Sequence, residues 1–162
     1  MSSTASSCPM TNISQIAFVV KDLDASVERY TSLWGLGPWQ IWTVDFGAMP
    51  GVTFRGKLAD CSVRVAMTRF GPFEFELVQP LQGNSPHQEF LDKHGEGMHH
   101  MAALVDDFQT VHDDLVQRGF RLALAGPIPG KDRDGSFAFF EPDDAMATTL
   151  ELLDYPDEPI RD

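Results

Sequence analysis

Apolar and polar positions follow one scheme twice along this chain. "QIAFVVKDLDASVERY", from Gln15, is an apolar run, an acidic step, then Leu23, Val27, Tyr30 and Trp34 at the spacing of one helix face. "HMAALVDDFQTVHDDL", from His100, repeats the scheme with Phe108, Val111 and Leu115. Asp22 or Asp24 is the expected N-cap of the first helix, Asp106 or Asp107 that of the second, and Gly119 stops the second. "FELV" at 75–78 returns as "LELL" at 150–153. The two rounds are 85 residues apart at their heads and 75 at their ends, so the first carries about ten extra residues. The turn-rich "DFGAMPGVTFRGK" at 45–57 is the expected place for them.

Each round therefore predicts strand, helix and three strands. The strands fall near 14–20, 39–44, 61–70 and 73–79, then near 98–105, 120–125, 136–141 and 148–154. The expected organisation is a disordered tail (1–12), a first βαβββ module (13–80), a connector (81–96) with a short helix in "SPHQEFLDKHG", a second module (97–155) and a C-terminal tail (156–162). The class is α+β, two similar curved sheets packed or paired about a pseudo-twofold axis.

Charge changes the picture by exclusion. Twelve basic against 24 acidic residues leave a net charge of −12, which repels phosphate backbones and anionic lipid, so neither nucleic acid nor membrane is an expected partner. No apolar run approaches the roughly 20 residues a membrane span needs. The opening "MSSTASSCPMTN" lacks the features of a signal peptide, and Cys8 and Cys61 make no disulfide framework, so a cytoplasmic protein with reduced thiols is expected.

Strand parity supplies candidate chemistry. His100 shares a face with Ala102 and Leu104, and its echo Gln15 shares one with Ala17 and Val19. Glu76 and Glu151 stand at matching positions of the two rounds, each flanked by apolar neighbours on the opposite face. A buried unpaired carboxylate is costly, so two of them ask for a common partner. One divalent metal ion is the simplest, with Gln15, Glu76, His100 and Glu151 as candidate ligands, two from each module. The small Ala17 and Ala102 leave room for a ligand. Adjacent histidines on a strand face opposite ways, so His99 is expected to be a partly exposed or hydrogen-bonded structural residue, and His87, His94 and His112 to lie at the surface. In "WGLGPWQIW", Trp39 and Trp42 fall on opposite sides of a strand. One is expected in a core, the other to wall a substrate pocket with Phe46, Phe137 or Phe139.

"QIAFVVKDLDASVERY", "FELVQPL", "GEGMHHMAALVDD" and "TLELLD" together resemble the signature segments of the vicinal oxygen chelate superfamily, nearest to methylmalonyl-CoA epimerase and its glyoxalase-like relatives. The resemblance covers roughly residues 13–155 and implies tandem βαβββ modules forming a curved, barrel-like mixed sheet. It implies Glu76, His100 and Glu151 as metal ligands, for Zn, Co, Ni, Mn or Mg. The fourth ligand of the family is usually a histidine; here it is Gln15, a weaker ligand for Zn, Co or Ni. A single histidine in these positions speaks against the Fe(II) extradiol branch. The implied activity is epimerisation or isomerisation next to a carbonyl through a metal-stabilised enolate, with Glu151 as base and Asp60 as the second acid. The implied substrate is an acyl thioester or a bulky apolar carbonyl compound. A thioester carrying CoA or glutathione needs cationic contacts, for which Arg55, Lys57, Arg64, Lys131 and Arg133 are candidates. A homodimer is implied as well. The alternatives are a metal-free protein of this fold that binds or sequesters a small molecule, and a glyoxalase-type lyase.

Overall fold

Three short polar side chains start the helices. In the computed structural model, which describes residues 10, 12–142 and 147–156, β1 (Ile13–Val19) leads into α1 (Leu23–Trp34). Asp22 caps α1 by accepting from the Ala25 N–H at 3.0 Å, and Gly35 closes it in the left-handed conformation. Such a cap contributes about 1 kcal/mol. The chain continues through β2 (Gln40–Asp45), a 3-10 turn at Phe46–Ala48, the two-residue strands β3 (Thr53–Phe54) and β4 (Lys57–Leu58), β5 (Ser62–Phe70) and β6 (Phe73–Gln82). Helix α2 (Pro86–His94) is capped by Ser85 with proline at its first turn. The second round is β7 (Gly97–Leu104), α3 (Phe108–Gln117), β8 (Arg121–Ile128), β9 (Gly135–Glu141) and β10 (Thr149–Asp154). Asp107 is the cap of α3. Most of the expected N-terminal tail and the C-terminal tail beyond Pro156 lie outside the described residues.

The ten strands among the described residues form one curled mixed sheet in the order β2-β5-β6-β1-β7-β10-β9-β8-β3-β4. β1 and β7 pair antiparallel at its centre, β1 runs parallel to β6, and β7 runs parallel to β10. Read outward from the β1–β7 pair, each half has the same strand sequence, which is the pseudo-twofold relation the repeat predicted. The helices cover apolar outer faces. Leu23 packs with Leu36, Ala66, Phe75 and Leu77, and Val111 and Leu115 pack with Phe140 and Leu152. Each fully buried side chain of this size contributes about 1.5–3 kcal/mol.

The surplus residues of the first round leave their own half. β3 pairs with β8, so the 46–58 segment crosses to the far edge of the sheet as a strap. Gly126 of β8 permits this crossing, because a Cβ there would lie 2.6 Å from Val52 Cγ2 and 2.8 Å from Val52 Cα. At the strap's tip, Arg55 donates bidentately to Glu89 of α2 at 2.6 and 2.9 Å and also pairs with Glu141 of β9. The strap thus ties connector, second half and first half together.

Pairing between β1 and β7 slips twice. Ile13 and Gln15 face Ala103 and Ala102, skipping Ser14; Ala17 and Phe18 face His100 and Met98, skipping His99. Both are β-bulges, and Ser14 and His99 are separated by the same 85 residues as Gln15 and His100. The bulge belongs to the repeat.

Candidate active site

The curl of the sheet encloses a cavity of about 420 Å³. β2 contributes Trp42 and Val44, β5 Val63, Val65 and Met67, β9 Phe137, β10 Leu153, and the strap Phe46 and Met49. These are the inward positions of successive strands, selected by period two. At the floor, β1, β6 and β10 present Gln15, Glu76 and Glu151, and His100 of β7 lies fully buried behind them. His100 Nε2 is 3.4 Å from Gln15 Oε1, 3.4 Å from Glu76 Oε2 and 3.2 Å from Glu151 Oε2. All four residues singled out from the sequence therefore converge, two from each half.

Burial and charge oppose each other here. Burial lowers the affinity of His100 for a proton, but hydrogen bonds to Glu151 and Glu76 outweigh it and raise the imidazole to about 9. Burial raises Glu151 above the usual carboxylate range despite the counteracting His100 bond, with Glu76 and Glu74 adding repulsion. The donor chemistry fits a divalent cation. One nitrogen and three oxygens lie 3.2–3.4 Å from nitrogen to oxygen, and donors about 2.1 Å from a common ion are spaced by about 3–3.4 Å. A cation there would remove the need for a shared proton among these groups.

Several expectations are corrected. His99 does not turn away from His100: the bulge swings it to the same side, where it is 3 % exposed with its Nδ1 2.9 Å from His100 Nδ1. His87 is a buried cavity residue, not a surface one. Its ring lies 4.7 Å from that of His99 and 5.3 Å from that of Phe139, and its Nδ1 has no hydrogen-bond partner. Burial, and then the charge of His100, hold it down to about 3. His87, His99 and His100 each offer a ring nitrogen within 4.8 Å of the others. His94 is exposed as expected, whereas His112 is half-buried with its ring 5.8 Å from Phe140. Asp60 is exposed in the turn between β4 and β5 and lines no part of the cavity, because the strap rather than the β5 strand lead-in forms the cavity wall.

Trp42, Phe46 and Phe137 line the cavity, the last two with ring centroids 5.7 Å apart. Trp39 packs on the outer face against Phe75 and donates from Nε1 to Thr31 Oγ1 at 2.9 Å. Phe139 lies beneath the floor, edge-on to His100 at 4.9 Å. Ala17 and Ala102 are fully buried in packing and do not line the cavity. None of Arg55, Lys57, Arg64, Lys131 and Arg133 lines it either; Arg64 pairs with Asp24 and Arg133 with Asp154. Tyr155, which the sequence reading passed over, lines the cavity and donates to Glu74 Oε2 at 3.1 Å. Burial, Glu74, Glu151 and Glu76 all raise its phenol, so it keeps its proton. Extending the parity of Glu151 and Leu153 by two residues would have found it.

Paired βαβββ units enclosing a cavity with a carboxylate–imidazole floor define a class of proteins. The family model for the Glyoxalase/Bleomycin resistance protein/Dioxygenase superfamily matches residues 14–139, and the chain belongs to that superfamily. Among curated relatives, the uncharacterized protein YqjC of Bacillus subtilis (strain 168) is 32% identical over 97 residues, 57% of this chain and 65% of that protein. Among solved structures, Streptomyces coelicolor methylmalonyl-CoA epimerase in complex with 2-nitronate-propionyl-CoA aligns at a TM-score of 0.68 with 24% identity, covering 90% of this chain and 98% of that one. Methylmalonyl-CoA epimerase from Mycobacterium tuberculosis aligns at 0.65 with 24% identity, covering 93% and 91%. At this identity the likeness speaks to the fold.

Proposed function

We propose that this protein is an enzyme that moves a proton at a carbon next to the carbonyl of a bulky, largely apolar substrate. The observation that carries the reading is the convergence of Gln15, Glu76 and Glu151 on His100 Nε2 at the floor of an apolar cavity. A divalent ion held by these four side chains would supply Lewis-acid polarisation of the substrate carbonyl. Glu151 takes the proton from the neighbouring carbon and returns it. Its carboxylate sits at the cavity floor, and burial raises it above the usual carboxylate range, which strengthens it as a base. Trp42, Phe46 and Phe137 hold the apolar body of the substrate and exclude water. Tyr155 keeps its hydroxyl proton and fixes Glu74 beside the site.

Asp60 lies outside the cavity, and Asp45 on β2, which lines it, takes its place as the candidate second acid for an epimerisation. Among the described residues lining the cavity there is no lysine or arginine, and Asp45, Glu76 and Glu151 are its acids. This lining favours a neutral carbonyl compound over a thioester bearing a free carboxylate. The same feature favours a second reading, a protein that sequesters a bulky apolar compound carrying positive charge. Association of two chains is part of the proposal and is read by sedimentation.

The test is deuterium uptake from solvent into a panel of neutral aryl and alkyl ketones and hydroxyketones, with methylmalonyl-CoA alongside. The proposal expects uptake into a neutral member by the metal-loaded protein and none with Glu151→Gln. Absence of uptake across the panel, with tight binding of an apolar cation, would replace it with sequestration.

A further inference from the structure

Tyr155 enters the chemistry above only as the holder of Glu74, yet the repeat does not generate it. The 75-residue offset that matches "FELV" to "LELL" sets Tyr155 opposite Pro80 and Glu74 opposite Thr149. The first half therefore has no phenol at this place and the second no carboxylate. The chain holds the ring deliberately. At the end of β10, Arg133 of the β8–β9 turn donates bidentately to the Asp154 carboxylate at 2.9 and 3.0 Å and to the Tyr155 carbonyl oxygen at 2.7 Å. Gly135 lets this segment lie against β9, because a Cβ there would collide with the Asp154 carbonyl oxygen and with Pro156. The Tyr155 ring packs on the apolar cluster that walls the cavity.

The direction of its hydrogen bond decides what the hydroxyl offers. Glu74, Glu76 and Val78 alternate onto one face of β6, and Glu76 and Val78 line the cavity, so Glu74 shares the inner side. Tyr155 Oη donates to Glu74 Oε2 at 3.1 Å. A phenol has one hydrogen and two lone pairs. With the hydrogen held by Glu74, the oxygen presents only lone pairs to a ligand. A ligand hydroxyl that donates to Tyr155 Oη is matched. A ligand ether or carbonyl oxygen at the same place sets lone pair against lone pair, and a buried polar group left unmatched is costly.

We propose that Tyr155 is a specificity-determining residue: with its hydrogen committed to Glu74, its phenol oxygen selects carbonyl substrates that carry a hydroxyl donor. The inference rests on the cavity as the substrate site of the proposed function, and it narrows the neutral carbonyl compounds of that reading to hydroxylated ones. Glu74 acts through Tyr155 and is a positioning residue. The bond runs from the end of the second half to β6 of the first, so it also ties the halves, and the test must separate that structural role from selection.

The test uses metal-free protein, so that a hydroxyl beside the carbonyl gains nothing by chelation. Aryl and alkyl ketones are compared as hydroxyl, methyl ether and hydrogen analogues, with binding read by calorimetry. Circular dichroism and thermal melting establish that Tyr155→Phe and Glu74→Met are folded, and either folded variant decides the question. In wild type, at least one hydroxyl member should bind about 3–10-fold more tightly than its methyl ether. Tyr155→Phe, which keeps the ring, should erase that preference and leave affinity for the hydrogen analogue unchanged. Glu74→Met frees the phenol hydrogen, so the methyl ether should gain on the hydroxyl compound. Equal binding of hydroxyl and ether members by wild type across the panel overturns the proposal. So does a preference that survives in either variant, or a Tyr155→Phe that weakens all three analogues alike, the mark of packing alone. Deuterium uptake by the metal-loaded protein is read separately. A preference for hydroxyl members without uptake ends the proton-transfer reading and leaves Tyr155 as the selector; uptake without preference does the reverse.

Discussion

Glu151 is where burial, an imidazole and two further carboxylates act on one group. Glu151→Gln keeps the shape of the side chain but removes both its basicity and its negative charge toward the metal. We expect proton exchange with a responsive substrate to fall by about 10²–10⁴ with the fold intact, read by deuterium uptake beside a melting curve. The two tryptophans separate binding from packing. Trp42→Ala should weaken binding of bulky ligands, because it removes a cavity wall. Trp39→Ala should leave binding unchanged and cost about 1–3 kcal/mol of stability through lost packing on Phe75 and the lost Thr31 bond, measured by denaturant unfolding. Gln15, Glu76, His100 and Glu151 were legible in the sequence because parity and the repeat constrain the same positions twice. His99 is hydrogen-bonded as expected, but its facing direction was not legible because a bulge breaks parity, and no local pattern in "GMHHMAAL" marks the slip. His87 was misread because its burial comes from how α2 docks across the sheet, a long-range packing fact. Asp60 was placed by counting back across an insertion whose path the count could not follow.

At the scale of elements, all eight strands of the repeat and the connector helix were legible from period and turn residues, as were the aspartate caps of α1 and α3. The strap was legible only as surplus. That it pairs with β8 depends on the meeting of Val52 with Gly126 and of Arg55 with Glu89 and Glu141, which join residues far apart in the chain. Arg55 holds Glu89 below the usual carboxylate range through its hydrogen bonds. A carboxylate lowered in the folded state stabilises the fold fully above its ordinary value of 4.5, and that contribution is lost as pH falls through the lowered value. Both partners are substantially exposed, so the contribution is below about 1 kcal/mol. Glu89→Gln should therefore flatten the acid side of the stability profile, visible as a smaller difference between urea midpoints near about pH 6.5 and about pH 3 than in wild type. Arg55→Ala should loosen the strap at the cavity wall, raising amide exchange in 46–58 before it changes global stability.

Across the whole molecule, one curled sheet serves both halves, and the cavity forms where their inner faces meet. The net charge of −12 acts on any incoming ligand, and no lysine or arginine among the described lining residues offsets it. Anionic thioesters should bind more weakly than neutral carbonyl compounds of similar bulk. Their affinity should improve as salt screens the repulsion, while that of neutral ligands stays flat. Among the described residues no helix is long and apolar enough to cross a membrane.

The central claim is that two side chains from each half hold one divalent ion, with a glutamine in the position opposite the histidine. Metal per chain is the most direct measurement, taken by elemental analysis after incubation with Mn, Co, Ni or Zn and gel filtration. One equivalent of at least one of these metals in wild type, lost in both His100→Ala and Glu151→Gln while the variants stay folded, is the predicted result. A wild type that stays free of all four metals, or one whose metal survives both substitutions, would contradict it.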